Sequence, residues 1–337
     1  TSTNINISGG TIKGNVYGGG YAYLENLTEA QQQLDSGALY GNSNVIVNGS
    51  PTINGDIYGS GKGYNYSTVP NNSKMIGNTT VTISGTPTIG SGKIIYGAGN
   101  GLALSTTAGL TGNTTINMNA TINRSIYGGG NSTNVIGNTN VNLNASNNLA
   151  IYGGGNAAVV LNNTYLYVTN SKVLDSVYAG GNGVKAIVEG NTNLDIDNNS
   201  EITNHVFGGG NAAQTGTKEK NSSTGIVNIV GAIIGKNVYG GANTSVLYGE
   251  TTVNIGSNTS LNNNLISSDI QIGGTVFGGG EANAAGSEIY DFSFISVTKE
   301  ININIDAKNH QVFLINGSIF GSGNASSTSG FFLYKYK

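Results

Sequence analysis

Ile126-Tyr127-Gly128-Gly129-Gly130-Asn131 is one of ten copies of the same short phrase: an aliphatic residue, an aromatic residue, then a glycine-rich turn. The others begin at Val16-Tyr17, Ile57-Tyr58, Ile95-Tyr96, Ile151-Tyr152, Val177-Tyr178, Val206-Phe207, Val238-Tyr239, Val276-Phe277 and Ile319-Phe320. Successive aromatics lie 41, 38, 31, 25, 26, 29, 32, 38 and 43 residues apart. A unit near 25 residues, lengthened by insertions toward both ends, accounts for the series. So short a unit has nothing to bury its own apolar face against, so it must stack on its neighbours.

Upstream of each aromatic pair runs a stretch of alternating apolar and polar residues, as in Thr79-Thr80-Val81-Thr82-Ile83 and Thr139-Asn140-Val141-Asn142-Leu143. Period two marks a strand buried on one face, with Val81 and Ile83 inward and Thr80 and Thr82 outward. The same phase recurs at Ile116/Met118, Leu194/Ile196, Val253/Ile255 and Ile303/Ile305. A weaker apolar pair follows the glycines, at Val135-Ile136, Val159-Val160, Ile187-Val188 and Val246-Leu247. These three strands per circuit predict an all-β chain: a right-handed parallel β-helix, or β-solenoid, of about ten three-strand coils. A left-handed hexapeptide solenoid would need a shorter, stricter period. At strand spacing the rod would be roughly 45 to 50 Å long.

The glycines are expected to form corners, where a positive φ costs least without a Cβ. The asparagine closing the phrase, at Asn100, Asn131, Asn156, Asn182, Asn211 and Asn243 and again at Asn324, is expected either to stack into an internal amide ladder or to serve as a plain turn residue. Three stretches depart from the repeat. Residues Leu24 to Asp35 space Leu24, Leu27 and Leu34 for one short helix, with Thr28 and Gln31 as a capping box. Leu261 to Ile272 and Gly286 to Glu300 read as inserted loops or strands leaving the rod. The organisation expected is one solenoid domain over 1–330, with 331–337 a tail or the start of a following segment.

The 337 residues include 54 Gly and 51 Asn, and only 9% are charged, so polarity comes from amides and hydroxyls rather than charge. A formal charge of −3 and the single arginine, Arg124, give no electrostatic footprint for nucleic acid. With no cysteine there are no disulfides, thiolate zinc sites or thiol nucleophiles. No apolar run is long enough to insert in a membrane, and Thr1-Ser2-Thr3-Asn4 opens inside a strand pattern without a signal peptide, as expected of a piece of a longer protein.

The run Asn4-Ile5-Asn6-Ile7-Ser8-Gly9-Gly10-Thr11-Ile12, followed by Val16-Tyr17-Gly18-Gly19-Gly20, resembles the β-helical repeat regions of large bacterial cell-surface adhesins, autotransporter-like or wall-anchored. The resemblance spans nearly the whole chain but is compositional. It implies an extracellular, cell-surface stalk or adhesive passenger, facing a host or neighbouring cell with glycan among its ligand classes.

Candidate chemistry is sparse. Asp195 and Asp197 flank inward Ile196, so both carboxylates leave one strand on the outer face and are candidate oxygen ligands for a cation; a solvated pair on a polar face is the plainer reading. His205 and His310 lie in different coils without a nucleophile or third histidine. The aromatic column Tyr58, Tyr96, Tyr127, Tyr152, Tyr178, Phe207 and Tyr239 reads as a structural stack or, if exposed, as a platform for sugar rings. Nothing implies a cofactor. The function expected is a non-enzymatic structural or adhesive solenoid presenting a binding surface. The alternatives are a carbohydrate-binding or carbohydrate-cleaving β-helix, with a polysaccharide lyase or hydrolase as the enzymatic form, and a phage tail-spike segment.

Overall fold

The computed structural model describes residues 1–23, 37–65, 70–71, 73–101, 109–147, 149–256, 269–284, 297–307, 310 and 312–327. They form a parallel β-solenoid. Ten long strands, from Thr3–Ile7 through Thr139–Leu143 to Ile301–Asp306, stack in chain order into one parallel sheet. The ten aliphatic-aromatic pairs form a second sheet in the same order. Neighbours in each sheet are successive circuits of the chain, so every strand but the end ones is covered by the coil before it and the coil after it.

The first seven long strands, from Thr3–Ile7 to Thr192–Asp197, begin with a Thr or Ser whose side chain faces inward; at the same register position the last three have Gly225, Thr251 and Ile301. Thr79, Thr114, Thr139, Thr164 and Thr192 are fully buried. Each donates to a main-chain carbonyl just after the aromatic of its own coil: Thr114 to Gly128 at 2.6 Å, Thr139 to Gly153 at 2.6 Å. The hydroxyl thereby satisfies a carbonyl that the turn leaves without a ladder partner, and it ties two walls of the coil across the interior. Inward residues further along, such as Val81, Ile83, Leu143 and Ile196, fill the core with the aliphatic residue of each aromatic pair.

Three features go beyond the sequence expectation. A short ladder between the long strand and the aromatic pair runs through Thr11–Ile12, Thr52–Ile53 and Thr88–Ile89, and later through Ser200–Ile202, Ala232–Ile234, Ile270–Ile272 and Phe313–Ile315. Ile270–Ile272 therefore belongs to the rod rather than to an excursion from it. The return segment is a ladder through Leu110, Val135, Val160, Val188, Thr215 and Leu247, reaching Val297.

The second feature concerns the turn glycines. Their φ angles are not positive; what they accommodate is close approach of the next coil, since a Cβ on Gly128 would lie 2.1 Å from the carbonyl oxygen of Gly153. The left-handed residue instead follows the closing asparagine: Ser132, Ala157, Ala212 and Thr244 have φ of 53°, 50°, 47° and 52°.

Third, no helix occurs among the described residues. The helix expected over Leu24 to Asp35 falls outside them, as do 257–268, 285–296 and the tail 331–337. No helix is long and apolar enough to cross a membrane among the residues described.

Candidate ligand-binding face

The aromatic column is packed ring on ring. Tyr58, Tyr96, Tyr127, Tyr152, Tyr178, Phe207 and Tyr239 are all buried, in a cluster separate from the aliphatic core. Tyr127 and Tyr152 lie 4.6 Å apart at 4°, and Phe207 and Tyr239 4.7 Å apart at 3°. Each ring face is occupied by a neighbouring ring, because parallel strands in register place identical side chains one strand spacing apart. A sugar platform needs open ring faces, and this column offers none between its members.

The closing asparagines form a continuous chain of side-chain amides. Asn131 donates to Asn100 at 3.1 Å, Asn156 to Asn131 at 3.2 Å, Asn182 to Asn156 at 3.3 Å, Asn211 to Asn182 at 2.9 Å and Asn243 to Asn211 at 2.8 Å. An amide nitrogen carries two hydrogens, and the second goes to a tyrosine hydroxyl two coils back. Asn182 donates to Tyr127 at 3.2 Å, and Asn100 to Tyr17 and Asn324 to Tyr239, each at 3.5 Å, repeat the pattern. Burial pushes the phenols of Tyr96, Tyr152 and Tyr178 above their ordinary range, so they stay neutral. Phe207, which lacks the hydroxyl, stands two coils before Glu281, where the ladder has a carboxylate and no amide donor.

The outer face of the long sheet is where side chains meet solvent. In register, one outward row reads Asn6, Ile46, Thr82, Asn117, Asn142, Tyr167, Asp195, Asn228, Asn254, Asn304. The parallel row reads Asn4, Asn44, Thr80, Thr115, Asn140, Tyr165, Asn193, Ile226, Thr252, Asn302. Where amides adjoin they ladder: Asn142 donates to Asn117 at 2.9 Å, Asn254 to Asn228 at 2.7 Å and Asn304 to Asn254 at 2.9 Å.

Asp195 sits within this row and accepts from Asn228 at 2.6 Å. Burial holds its carboxyl above the usual range; the Asn228 bond opposes that, and Asp197 adds to it. Asp197 is raised mainly by burial as well, against a hydrogen bond from Thr169. Both aspartates are half-buried on the outer face, and no third acidic or histidine side chain gathers with them into a metal-binding group among the described residues. His205 lies far from nucleophilic chemistry: its ring tilts 5.9 Å from both Phe207 and Tyr239, and Nδ1 accepts the Asn237 main-chain N–H at 3.3 Å. Burial lowers its pKa.

Sequence reading missed the two tyrosines beside the aspartates. Tyr165 and Tyr167 stand two residues apart on Thr164–Thr169, and Tyr167 is 37% exposed. Their signal was present as aromatics at outward positions that other coils give to Asn or Thr. The strand ends at an open groove of about 510 Å³, lined by Thr86, Asn119, Asn144, Ser146 and Asn170. Asn170 follows Thr169, the register partner of Asp197, while neither the tyrosines nor the aspartates line the groove.

Neither protein-family models, nor curated proteins, nor solved structures match this chain.

Proposed function

We propose that this chain is a non-enzymatic extracellular solenoid of a bacterial cell surface, a rod that presents a binding face to a host cell, a neighbouring cell or matrix. The observation that carries this reading is the continuity of the ladders: both principal sheets run through ten strands without a break, so the chain places its side chains at fixed intervals along a stiff axis. A quasi-one-dimensional scaffold of this kind suits presentation over distance. The polar, amide-rich outer face is in keeping with an extracellular setting, as is the likeness to adhesin repeats. The scattered histidines and the lone aspartate pair favour binding over turnover.

The test is retention of beads coated with the purified chain on epithelial cells, bacterial cells and matrix-coated wells, alongside a reducing-end release assay on polysaccharides. Retention on at least one surface without release of reducing ends is expected. Failure to bind any surface, or turnover that Asp195→Asn abolishes, overturns the reading.

A further inference from the structure

We propose that Tyr165, Tyr167, Asn193, Asp195 and Asn228 form a saccharide subsite that takes a glycan free of acidic groups. This rests on the reading of the rod as a presenting surface, and names what one part of that surface holds.

The two outer rows of the long sheet are Asn or Thr at most positions, and four of their five departures, Tyr165, Tyr167, Asp195 and Ile226, gather in three adjacent coils. Tyr165 and Tyr167 replace amides in one coil, and Asp195 and Asp197 appear in the next, with Asp195 the register partner of Tyr167. Ile226 borders the patch beside Asn193, while Ile46 is a departure standing alone elsewhere. Residues two apart on a strand point to the same side, so the two tyrosines form a side-by-side aromatic surface roughly 7 Å across between attachment points. Unlike the buried column, this pair is not part of a ring stack: in register its neighbours are Asn140 and Asn142 on one side and Asn193 and Asp195 on the other.

An aromatic surface bordered by amides and a carboxylate matches the two chemistries of a sugar ring, an apolar C–H face and a rim of hydroxyls. Tyrosine supplies apolar area with a polar tip, and a few placed polar groups fix orientation. Asn228 already spends one amide hydrogen on Asp195, which fixes that carboxylate as an acceptor for hydroxyl donors. Charge decides the class of glycan. Among the described residues the ion pairs Lys172 with Glu201 and Lys220 with Glu189 involve neither aspartate, so the patch presents two carboxylates without an ion-pair partner there. Uronate or sulfated chains would be repelled; hydroxyl, acetamido or amino sugars would not. A local departure that costs stability, in a scaffold otherwise built by rule, is where function is expected.

The experiment is a printed array of neutral, amino and acidic glycans, followed by calorimetric titration of the best non-acidic oligosaccharide. Binding is expected to be weak, with a Kd of about 1 mM or tighter. Tyr165→Ala and Tyr167→Ala should each weaken it by about ten-fold or more. Asp195→Asn should weaken it several-fold while leaving the fold intact, and Tyr178→Phe, inside the buried column, should leave it unchanged. Circular dichroism of each variant separates loss of contact from loss of fold. Binding confined to acidic glycans, indifference to both tyrosine substitutions, or an array without any bound glycan overturns the proposal. If beads still adhere to surfaces in that last case, the presenting rod stands and only the saccharide subsite falls.

Discussion

Asp195 stands between Tyr167 and Asn228 in its row, and its carboxyl is held above its ordinary range chiefly by burial. The sign of the consequence follows from linkage: a group whose folded pKa exceeds its unfolded one contributes stability below the unfolded value and loses it as pH rises through the folded value. At neutral pH the charge therefore works against folding. Asp195→Asn keeps an acceptor for Asn228 and adds an amide donor, so it should stabilise the rod by at most about 1 kcal/mol, solvent at this half-buried site screening much of the effect. Denaturant titrations at neutral pH and in the carboxylate range would check it, with the gain fading as the medium turns acid. His205 has the opposite sign. Its folded pKa is depressed, so its contribution is present above the ordinary imidazole value and is lost as pH falls through the folded one. Protonation also takes away the lone pair that accepts the Asn237 N–H. Between about pH 7 and pH 5 stability should decline, and His205→Gln should flatten that slope; an unchanged slope would place the titrating group elsewhere.

At the scale of the element, the residue after the closing asparagine and glycines such as Gly41, Gly77 and Gly112, two residues before their long strands, carry the backbone strain. Ala157 and Ala212 hold left-handed angles of 50° and 47°. In that region a Cβ crowds the backbone, and Gly does not. Ala157→Gly and Ala212→Gly should each add about 0.5 kcal/mol or more in chemical denaturation, the reverse of the usual cost of glycine. Gly112 has a φ of 147°, and a Cβ there would lie 2.0 Å from the carbonyl oxygen of Gly77. Gly112→Ala should cost about 2 kcal/mol or more, since a main-chain neighbour has little room to give. These two positions show where sequence reading reaches its limit. The long strand and the aromatic phrase were legible because period two and a recurring motif are local patterns. The short Thr-Ile ladder is two residues wide, too brief to display a period. The left-handed residue was sought at glycine and asparagine, whereas Ser132, Ala157, Ala212 and Thr244 adopt it because the coil corner imposes it. The tyrosine hydroxyls bond asparagines two coils away, and Tyr165 and Tyr167 stand out from their rows, only once the register is known.

At the scale of the molecule, the register makes the coil the unit of construction, which leads to a test by excision. From one coil to the next, Tyr127 maps to Tyr152, Asn131 to Asn156, Val135 to Val160, and Thr139 to Thr164, each pair in parallel register and each 25 residues apart. Removing residues 128–152 joins Tyr127 directly to Gly153. Every ladder then closes on the coil beyond, with an aliphatic residue meeting an aliphatic one, an amide meeting an amide and ring meeting ring. A solenoid's stability is close to a sum of repeat and neighbour terms, so the loss should be about one coil's worth rather than collapse. The rod should shorten by about 4.8 Å, measurable by small-angle X-ray scattering, and keep its β circular dichroism. Excising a stretch of the same length minus one residue is the discriminating partner. A shift of one position turns the core face of Thr164–Thr169 outward and sets Tyr165 and Tyr167 where Leu166 and Val168 now pack, so that variant should lose much of its ordered structure. Equal behaviour of the two excisions would mean that the ladders are not what specifies the stack. If only the matched one folds, the amide and aromatic columns act as a register key, which lets coils of unequal length, with insertions toward both ends, share one axis.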